Sequence, residues 1–503
     1  MASVMGAALV GVDGVAVEVE VRISAQLPRI DIVGLPELSV RESAARVRAA
    51  IAAVGERFPP NRVTINLAPA ALRKSGSGLD LAIAVGILVA AGAVEPAAAR
   101  GVAFLGELAL DGRLRSVRGE LAMTLAASDA GCQTVVAPAR CAAAAALAPG
   151  IEVLTAESLG QVIAHLRGDE TLGRRPSPAA SFDSALDPCL SEVRGQEAAK
   201  RGLVIAAAGG HGVLLSGPPG SGKSMLAKRL PGILPPLQME EALAATRVHD
   251  AAGLIHEDTP GLVRRPFRAP HHSSTLAGLL GGGTPVTPGE ASLAHGGVLF
   301  LDELPEFERR VRESLRQVME DRCIVLARAS YTCRLPADFM LVATANPCPC
   351  GWWGSDQRAC RCESRAVERY RRRISGPLLD RIDLHIQVPG QNWSKLAGPA
   401  EGETSAEVSA RVESARRRQY TRAGLSNARL EDANLDRHWG PTSAAQGLLG
   451  RAVDRLRLSA RTARRLQRVS RTVADLEGSH ATREQHVAEA LGYRSERGHD
   501  GEE

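Results

Sequence analysis

The stretch "VLLSGPPGSGKSMLAKRL", Val213 to Leu230, decides the fold of this 503-residue chain. Its first four residues predict a short buried strand, and the residues after Ser224 predict a helix. Between them lies the pattern G-x-x-x-x-G-K-[ST], whose glycines let backbone N–H groups approach phosphate oxygens at the amino end of a helix. Because a strand and a helix flank it, the loop is more than a structural glycine turn. It predicts nucleotide binding by Gly217, Pro218, Pro219, Gly220, Ser221, Gly222, Lys223 and Ser224.

A second apolar strand, Val298 to Leu301 in "GGVLFLDELPEF", ends in two acids. Carboxylates at the carboxyl edge of a central strand lie where open α/β sheets bind their ligands. Lys223 is predicted to reach the β- and γ-phosphates of ATP, and Ser224 and Asp302 are predicted to hold Mg²⁺. Glu303 is predicted to polarise the attacking water. The plainer interpretation, two acids that cap the next helix, is weaker because the pair follows a buried strand.

Two further polar residues border predicted strands. Asn346 comes just after the strand in "DFMLVATANP", where its amide would orient the lytic water beside the γ-phosphate. Arg381, in "SGPLLDRIDLHIQV", lies between a helix and a strand. An arginine that faces a neighbouring subunit's nucleotide would stabilise the charge that develops during phosphoryl transfer. Taken alone, Asn346 is more often a turn residue before proline, and Arg381 a structural ion-pair partner.

The composition is that of an ordinary globular protein, with 45% hydrophobic and 23% charged residues and a net charge of +5. No apolar run reaches membrane-spanning length, and no signal peptide is predicted. Nine unevenly spaced cysteines do not form a secreted disulfide framework, so a cytoplasmic location is expected. Two arginine-rich runs, 365–373 and 451–471, are either solvated helix faces or contacts to an anionic partner.

The pattern along the chain predicts an α/β fold in several units. Strand and helix signals alternate over residues 1–167, including a hairpin that turns at Asp111-Gly112. Residues 168–190 are polar, contain Pro and Ser, and predict a linker. Strands and helices alternate again over 191–390, as in a parallel sheet flanked by helices. The remainder, 391–503, is predicted to be a mostly helical lid.

The order of these motifs resembles that of the AAA+ ATPases: a phosphate loop, then "LFLDE", "ATANP", "LLDRID" and a helical lid. More narrowly, "FRAPHHSSTLAGLLGGG", "PGEASLAHGGVLFLDELPEF", "ATANPCPCG" and "RRRISGPLLDRIDLHI" are similar to the magnesium-chelatase-like ComM/YifB family. The stretches "IDIVGLPELSVRESAARVRAAI" and "RVTINLAPAALRKSGSGLDLAIAVGIL" match the same family. The resemblance covers nearly the whole chain.

This resemblance implies a bacterial, hexameric, ATP-hydrolysing motor with nucleotide at its subunit interfaces. Better-studied members of the family are associated with branch migration of DNA during natural transformation. The family's nucleotide-sensing lid arginine maps most simply onto Arg461, and three neighbouring arginines stay open as alternatives: Arg464, Arg465 and Arg468. The rest of its ATP site maps onto Gly217 to Ser224, Asp302, Glu303, Asn346 and Arg381.

The long segment between Lys223 and Asp302 suggests an inserted element in the AAA+ core. The stretch "CIVLARASYTCRLPADF" resembles the hairpin that precedes the sensor strand in this group of ATPases. Such elements can project toward the pore of a ring. The hypothesis is that Arg328, Arg334 or Arg265 meets DNA phosphates there.

The amino-terminal domain resembles the proteolytic domain of Lon, a ribosomal-protein-S5-domain-2-like α/β fold. An ungapped comparison puts Gly78 where that family carries its nucleophilic serine, and Leu121 where it carries its lysine. Ser75 and Ser77 lie nearby, but no lysine base is positioned for them. The prediction is a protease-like fold without protease chemistry.

The stretch "ANPCPCGWWGSDQRACRC", within which 346–362 is the predicted insertion, places four cysteines directly after the predicted sensor. Cys348, Cys350, Cys360 and Cys362 are candidate ligands of one tetrahedral Zn²⁺, although C-x-C is rarer than C-x-x-C in such sites. A reversible disulfide and four unligated thiols stay open as alternatives. If zinc binds, its role is structural, because four protein ligands leave no open position.

Three other functions compete with that of a motor on branched or single-stranded DNA. A magnesium-chelatase-type metal-insertion ATPase would share the nucleotide site, but the Lon-like domain and the cysteine cluster are foreign to that subunit. An ATP-dependent protease would need a catalytic pair that the sequence does not offer. A nucleotide-switched scaffold would bind DNA without moving along it.

Overall fold

The computed structural model describes residues 1–35, 37–70, 74, 76–140, 142–177, 188–255, 261–262, 264–327, 332–391 and 402–494. Its first part, the amino-terminal unit, is built on an eight-stranded mixed sheet. The described strands of this unit are β1 (Ala2–Val10), β2 (Asp13–Ser24), β3 (Arg29–Val33), β4 (Arg62–Ala68), β5 (Val102–Phe104), β6 (Glu107–Leu108), β7 (Leu114–Arg115), β8 (Thr134–Pro138), β9 (Glu152–Ala156) and β10 (Gly173–Arg174), of which β6 and β7 form a separate two-stranded sheet. The helices are α1 (Leu38–Ala53), α2 (Asp80–Ala90), α3 (Glu120–Asp129), α4 (Ala142–Ala145) and α5 (Leu159–Arg167). The sheet order is β10-β9-β8-β5-β1-β2-β4-β3.

The periodicity of apolar side chains explains which residues of this unit are buried. In β2, Val17, Val19 and Val21 point into the core while Glu18 faces solvent, as the alternation of the sequence predicts. Helix α2 packs on β1 and β2, and its apolar sequence accounts for burial on all sides. The hairpin predicted at Asp111-Gly112 is confirmed, since β6 pairs antiparallel with β7 and Gly112 takes the positive φ that the turn needs.

The second part, the parallel-sheet unit, begins near residue 190. Its strands and hairpins are β11 (Val213–Ser216), β12 (Phe267–Arg268), β13 (Gly281–Gly282), β14 (Thr287–Pro288), β15 (Val298–Leu301), β16 (Cys323–Ala327), β17 (Thr332–Pro336), β18 (Met340–Ala345) and β19 (Leu384–Gln387). Its helices are α6 (Glu197–Gly209), α7 (Lys223–Ala227), α8 (Met239–Ala251), α9 (Leu276–Leu280), α10 (Glu290–Leu293), α11 (Arg309–Asp321), α12 (Ser364–Arg371) and α13 (Gly376–Leu379). Five strands form one sheet in the order β12-β15-β18-β11-β19, with all neighbours parallel.

Both faces of this sheet are buried, which is why its strands read as continuous apolar runs. Along β11, Val213 and Leu215 join the hydrophobic cluster shared with α6 and the carboxyl-terminal helices. Leu214, which lies between them, points to the opposite face of the sheet and joins the cluster that includes residues of α11, β16 and β17. The hairpin predicted from "CIVLARASYTCRLPADF" is confirmed as the antiparallel pair β16–β17.

The carboxyl-terminal region is helical, as predicted for a lid. Its helices are α14 (Ser405–Ala423), α15 (Asp432–Trp439), α16 (Ser443–Arg455), α17 (Ala460–Leu476) and α18 (Glu484–Gly492). The buried Arg416 of α14 donates to the carbonyl oxygens of Ala207 and Ala208 at the end of α6, each at 2.8 Å. The lid is therefore joined to the parallel-sheet unit through backbone groups as well as through a shared core.

The predicted linker, 168–190, contributes residues to both neighbouring units. Strand β10 lies within it and pairs antiparallel with β9, and Leu190 is buried in the core of the parallel-sheet unit. Residues 178–187 lie outside the described part of the chain. None of the described helices is long and apolar enough to cross a membrane.

The amino-terminal unit docks on the parallel-sheet unit through two features. The turn between β1 and β2 inserts Val12 into the core around the β16–β17 hairpin, where the backbone of Gly11 touches Cys333. On the other side of the interface, Asp250 at the end of α8 accepts hydrogen bonds from the N–H groups of Gly119 (3.3 Å) and Leu121 (2.8 Å). A carboxylate of one unit thus caps the first turn of α3 in the other.

This interfacial carboxylate predicts a pH-dependent stability. Burial raises the pKa of Asp250 to about 6, and burial together with the charge of Asp250 raises the pKa of the adjacent Glu120 well above its usual range. Because the folded-state pKa of Asp250 lies above its unfolded value, the stability that its proton contributes is fully present below about pH 4 and is lost as pH rises through about 6. We expect the free energy of unfolding to fall by up to about 3 kcal/mol over that range, and Asp250→Asn to flatten the fall. Urea unfolding at several pH values measures this, and parallel curves for both proteins would contradict it.

Candidate ATP site

Three neighbouring parallel strands bring the predicted nucleotide residues to one edge of the sheet. The phosphate loop follows β11, the pair Asp302-Glu303 follows β15, and Asn346 follows β18. The register pairs Ser216 with Ala345 and Leu301 with Ala343, so β11 and β18 end at the same level and β15 ends two residues earlier. The carboxyl edge of a parallel sheet is where such folds bind ligands, and the structure confirms that these residues converge there.

The loop has the backbone geometry that its glycines predict. Gly222 takes φ +92° immediately before α7, a conformation that side-chain-bearing residues rarely adopt. At Gly217, an added Cβ would lie 2.1 Å from the carbonyl oxygen of Val388, so only glycine fits between the two strands. The glycine loop leads directly into α7, and a glycine loop followed by the amino end of a helix is the arrangement that binds phosphate.

Lys223 is buried and lies at the centre of the site. Its Nζ donates to the carbonyl oxygens of Gly217 and Pro218, each at 2.8 Å, and to Oδ1 of Asn346 at 3.1 Å. Burial lowers the pKa of Lys223, and the charges of Asp302 and Glu303 oppose this shift. The lysine and the predicted sensor therefore meet directly, although 123 positions separate them.

The predicted magnesium ligands also meet. The hydroxyl of Ser224 donates to Asp302, with Oγ 2.9 and 3.0 Å from the two carboxylate oxygens. Adjacent oxygen ligands in an octahedral Mg²⁺ shell are about 3 Å apart, given metal–oxygen distances of about 2.1 Å. One hydroxyl and one carboxylate on an exposed edge, with room for water ligands, thus fit the donor set that Mg²⁺ prefers.

Thr344 is a site residue that the sequence analysis missed. Its buried hydroxyl donates to Oδ1 of Asp302 at 2.6 Å and accepts from the N–H of Glu303 at 2.8 Å. These two hydrogen bonds hold the carboxylate of Asp302 and the backbone of Glu303 in place. The φ of Glu303 is +56°, in the left-handed region. The period of two along a strand was the available signal, because Thr344 and Asn346 share one face of β18.

Gln196 is a second residue that was missed. It is buried with a left-handed backbone, and its Nε2 donates to the carbonyl oxygens of Ser221 (3.1 Å) and Pro389 (2.7 Å). It therefore ties the phosphate loop to the chain that leaves β19. Within the described residues, the hydroxyl of Ser221 is buried in this loop with no hydrogen-bond partner, which leaves a polar group available to a bound nucleotide.

The two predicted catalytic arginines lie elsewhere. Arg381 precedes β19 and so lies at the amino edge of the sheet, about 13 Å of strand away from the phosphate loop. Its guanidinium donates to Glu320 (2.5 Å) and to the carbonyl oxygen of Pro377 (2.8 Å). Arg461 donates to the other oxygen of Glu320 at 2.9 Å. The structure thus brings these arginines to each other and does not bring either one to the ATP edge of its own subunit.

The alternative lid arginines are each paired with an acid. Arg464 binds Asp436, Arg465 binds Asp383 at 3.2 Å, and Arg468 binds Asp432 at 2.6 Å. The arginine-rich run 451–471 is therefore largely a set of ion pairs within the protein. Neither interpretation of that run, a solvated helix face or contacts to an anionic partner, anticipated these internal pairs.

The candidate DNA-binding arginines differ in exposure. Arg334 is exposed on β17. The side chain of Arg265 is largely covered and is paired with Glu241 (2.7 Å) and with the carbonyl oxygen of Gly296, which argues against a phosphate contact by this arginine. Arg328 lies outside the described residues.

The Lon-like positions hold no nucleophile–lysine pair among the described residues. Gly78 borders a cavity of about 380 Å³ between the two units, and the neighbouring Ser77 donates its hydroxyl to Glu107. The buried Lys74 donates to backbone carbonyl oxygens, including those of Gly34 and Leu67 at 3.0 Å. Ser75 lies outside the described residues, and the absence of proteolysis stays a prediction.

The structure brings the four cysteines of the 346–362 segment together. Their Sγ atoms all lie within 4.8 Å of one another, and Cys348 is fully buried. All four are free thiols. The cluster lies directly beyond Asn346, so it borders the ATP edge of the sheet.

Comparison with known proteins agrees with this geometry. Family models described as "Magnesium chelatase, subunit ChlI", "Subunit ChlI of Mg-chelatase" and "Magnesium chelatase, subunit ChlI C-terminal" match residues 189–396, 19–140 and 402–494. The chain is 42% identical to YifB of Escherichia coli, over 97% of this chain and 96% of that protein. It is 41% identical to "Competence protein ComM" of Haemophilus influenzae, over 98% and 97%. Similarity to the "Magnesium-chelatase 67 kDa subunit" of Heliobacterium mobile is 28% and spans 40% of this chain and 34% of that protein.

Proposed function

Because the chain belongs to the ComM/YifB family of magnesium-chelatase-like AAA+ ATPases, we propose that it is an ATP-driven motor that acts on branched DNA. The observation that carries this proposal is similarity to the competence protein over nearly the full length of both chains. The 67 kDa magnesium-chelatase subunit of Heliobacterium mobile matches over only 40% of this chain and 34% of its own length, which favours a DNA motor over metal insertion. We propose ATP and Mg²⁺ as the cofactors, with a structural zinc ion at the four cysteines.

The residues at the ATP edge have distinct roles in this proposal. Lys223 exchanges its contacts with loop carbonyls for contacts with the β- and γ-phosphates of ATP. Glu303, exposed at the end of β15, accepts a proton from the attacking water, and Asn346 orients that water. Ser224 and Asp302 would hold Mg²⁺, which neutralises phosphate charge when bound. Thr344 holds the carboxylate of Asp302 and the backbone of Glu303 in position through one hydrogen bond to each.

The position of the arginines supports a ring with nucleotide between subunits. Arg381 and Arg461 lie on the edge opposite the phosphate loop of their own chain, joined by Glu320. A head-to-tail contact between copies places that edge of one subunit against the ATP edge of the next. The arginines would then stabilise the γ-phosphate of the neighbour during hydrolysis. Six subunits is the number that the family resemblance implies.

The β16–β17 hairpin is the proposed DNA contact, which yields a prediction. We expect forked DNA or a Holliday junction to raise the ATPase rate, and ATP to drive displacement of a labelled strand from the junction. Arg334→Ala should weaken DNA stimulation several-fold and leave the basal ATPase rate unchanged, because it removes one phosphate contact. DNA-stimulated ATPase rates measured at several salt concentrations should depend less on salt for Arg334→Ala than for the unmodified chain.

The matched control is Arg451→Ala, which removes an exposed lid arginine that pairs with Glu484 at 3.5 Å. It should behave as the unmodified chain does.

DNA binding without ATP-dependent strand displacement would identify a nucleotide-switched scaffold instead of a motor. An ATPase indifferent to every DNA, but stimulated by a chelatase partner subunit and porphyrin, would support the metal-insertion alternative.

A further inference from the structure

We propose that Cys348, Cys350, Cys360 and Cys362 bind one Zn²⁺ and that the resulting zinc loop forms a wall of the ATP site. The second half of this proposal rests on the proposed ATPase site, whereas the first half does not. The zinc loop is residues 347–362, between Asn346 and α12.

The sulfur geometry fits a single tetrahedral ion. The Sγ of Cys348 lies 3.4 Å from that of Cys350 and 3.6 Å from that of Cys360, and Cys350 and Cys360 are 3.6 Å apart. Zinc–sulfur bonds of about 2.3 Å place tetrahedral sulfurs about 3.8 Å apart, close to these separations. A disulfide would need about 2.05 Å. An iron–sulfur cluster interposes inorganic sulfide and spreads its cysteines farther than one shared ion does.

Backbone donors surround the sulfurs, as they do around metal-bound thiolates. The N–H groups of Cys350, Cys362 and Trp353 each approach a cysteine Sγ at 3.4 Å, namely those of Cys362, Cys360 and Cys348 respectively. These contacts orient the ligands and stabilise negative charge on sulfur. They also fold the second C-x-C back on the first, although nine residues separate the two.

The zinc loop touches the phosphate loop directly. An added Cβ on Gly351 would lie 2.5 Å from Cγ and Cδ of Pro219, so the backbone of Gly351 lies directly against the proline ring of the phosphate loop. The N–H of Gly351 donates to the carbonyl oxygen of Cys348 at 2.9 Å, which links this contact to a zinc ligand. Asn346 lies only two residues before Cys348. Zinc would therefore fix both the phosphate loop and the predicted sensor from outside the site.

The start and the middle of the zinc loop are held by α12, the helix that follows it. The guanidinium of Arg371 in α12 lies 5.6 Å from the ring centre of Trp353, and its Nε is 3.4 Å from the carbonyl oxygen of Pro347. Gln357 donates to the carbonyl oxygen of Gln391 at 3.2 Å, beside the Gln196 contact to Pro389. The loop is thus anchored at three places around the ATP edge. Loss of the ion would release its centre.

The first test measures metal directly. Full-length protein, its Cys348→Ser/Cys350→Ser double variant and the control Cys323→Ser, which alters a cysteine outside the cluster, are analysed by inductively coupled plasma mass spectrometry. We expect one zinc per chain in the unmodified protein and in the control, and none in the double variant. Equal zinc in the double variant, or no zinc in any of the three, overturns the site.

A second measurement keeps the test sound if the double variant does not fold. Exchange of Co²⁺ into the intact chain should give intense thiolate charge-transfer bands and the d–d bands of a tetrahedral ion. Titration with zinc should remove them at one equivalent. A cobalt spectrum without thiolate charge transfer overturns the site.

The third measurement tests the coupling. Protein stripped with a zinc chelator and returned to excess Mg²⁺ should show a kcat for ATP hydrolysis about tenfold lower or more, restored by one equivalent of zinc, because sub-ångström alignment of the loop is lost. Unchanged kcat overturns the coupling. A chain that binds zinc yet hydrolyses no ATP contradicts the proposed ATPase and with it the coupling, while it supports the zinc site.

Discussion

Replacing Glu303 by glutamine should lower the kcat for ATP hydrolysis by about 100-fold or more while leaving ATP binding intact. Among the described residues, the exposed carboxylate of Glu303 accepts no hydrogen bond at the ATP edge, whereas the carboxylate of Asp302 accepts hydrogen bonds from Ser224 and Thr344. A general base contributes about 10²–10⁴-fold to a proton transfer, and glutamine keeps the shape of the side chain but cannot accept the proton. Steady-state ATPase assays and equilibrium binding of a fluorescent ATP analogue measure the two quantities separately.

The matched control is Glu306→Gln, which changes an acid three residues farther along the same turn. Glu306 pairs with Arg373 at 2.9 Å. Its substitution should change kcat less than threefold. If Glu303→Gln and Glu306→Gln reduced kcat equally, the effect would come from loss of negative charge near α11, and Glu303 would not be the base.

The convergence of the ATP edge was predictable because it follows from strand order and short-range patterns. Asn346 and Asp302 each come directly after an apolar run, and parallel strands place such residues at one edge. Thr344 was missed because a threonine inside a buried strand is read as a packing residue. The period of two places Thr344 on the same side of the strand as Asn346, but its contacts with Asp302 and Glu303 depend on the register between β15 and β18, which the pattern of one strand does not encode.

The parts that could not be predicted depend on contacts between distant segments. Gln196 reaches the phosphate loop only because its backbone adopts a left-handed conformation at the start of α6. Glu320 and Arg461 are 141 positions apart, and nothing in either stretch indicates that they pair. The burial of Arg265 likewise depends on Glu241 and on carbonyl groups from two loops, so its charge alone was a misleading guide.

Arg381→Ala should lower kcat by about 10³-fold or more, and the lost activity should return in part when this variant is mixed with Glu303→Gln. An arginine supplied to a neighbour's γ-phosphate contributes about 10³–10⁵-fold to phosphoryl transfer. The Arg381→Ala subunit keeps Glu303, and the Glu303→Gln subunit keeps Arg381. In a mixed ring, an ATP site formed between one subunit of each kind can therefore contain both groups. Random mixing in equal amounts makes about a quarter of the interfaces complete. We therefore expect the mixture to reach up to about a quarter of normal activity although each variant alone is inactive.

Glu320→Gln separates this role from a structural one. Arg381 is buried and paired with Glu320, so its removal could act by disturbing α11 and the lid. Glu320→Gln removes the charge that holds both Arg381 and Arg461 but leaves both arginines, and it should keep most of the ATPase activity if the arginines act on the neighbour's nucleotide. If the ion pair is the whole function of Arg381, Glu320→Gln and Arg381→Ala should be equally impaired and mixing should restore nothing. Mixing itself distinguishes the cases, because an unfolded subunit cannot supply Glu303 to a ring.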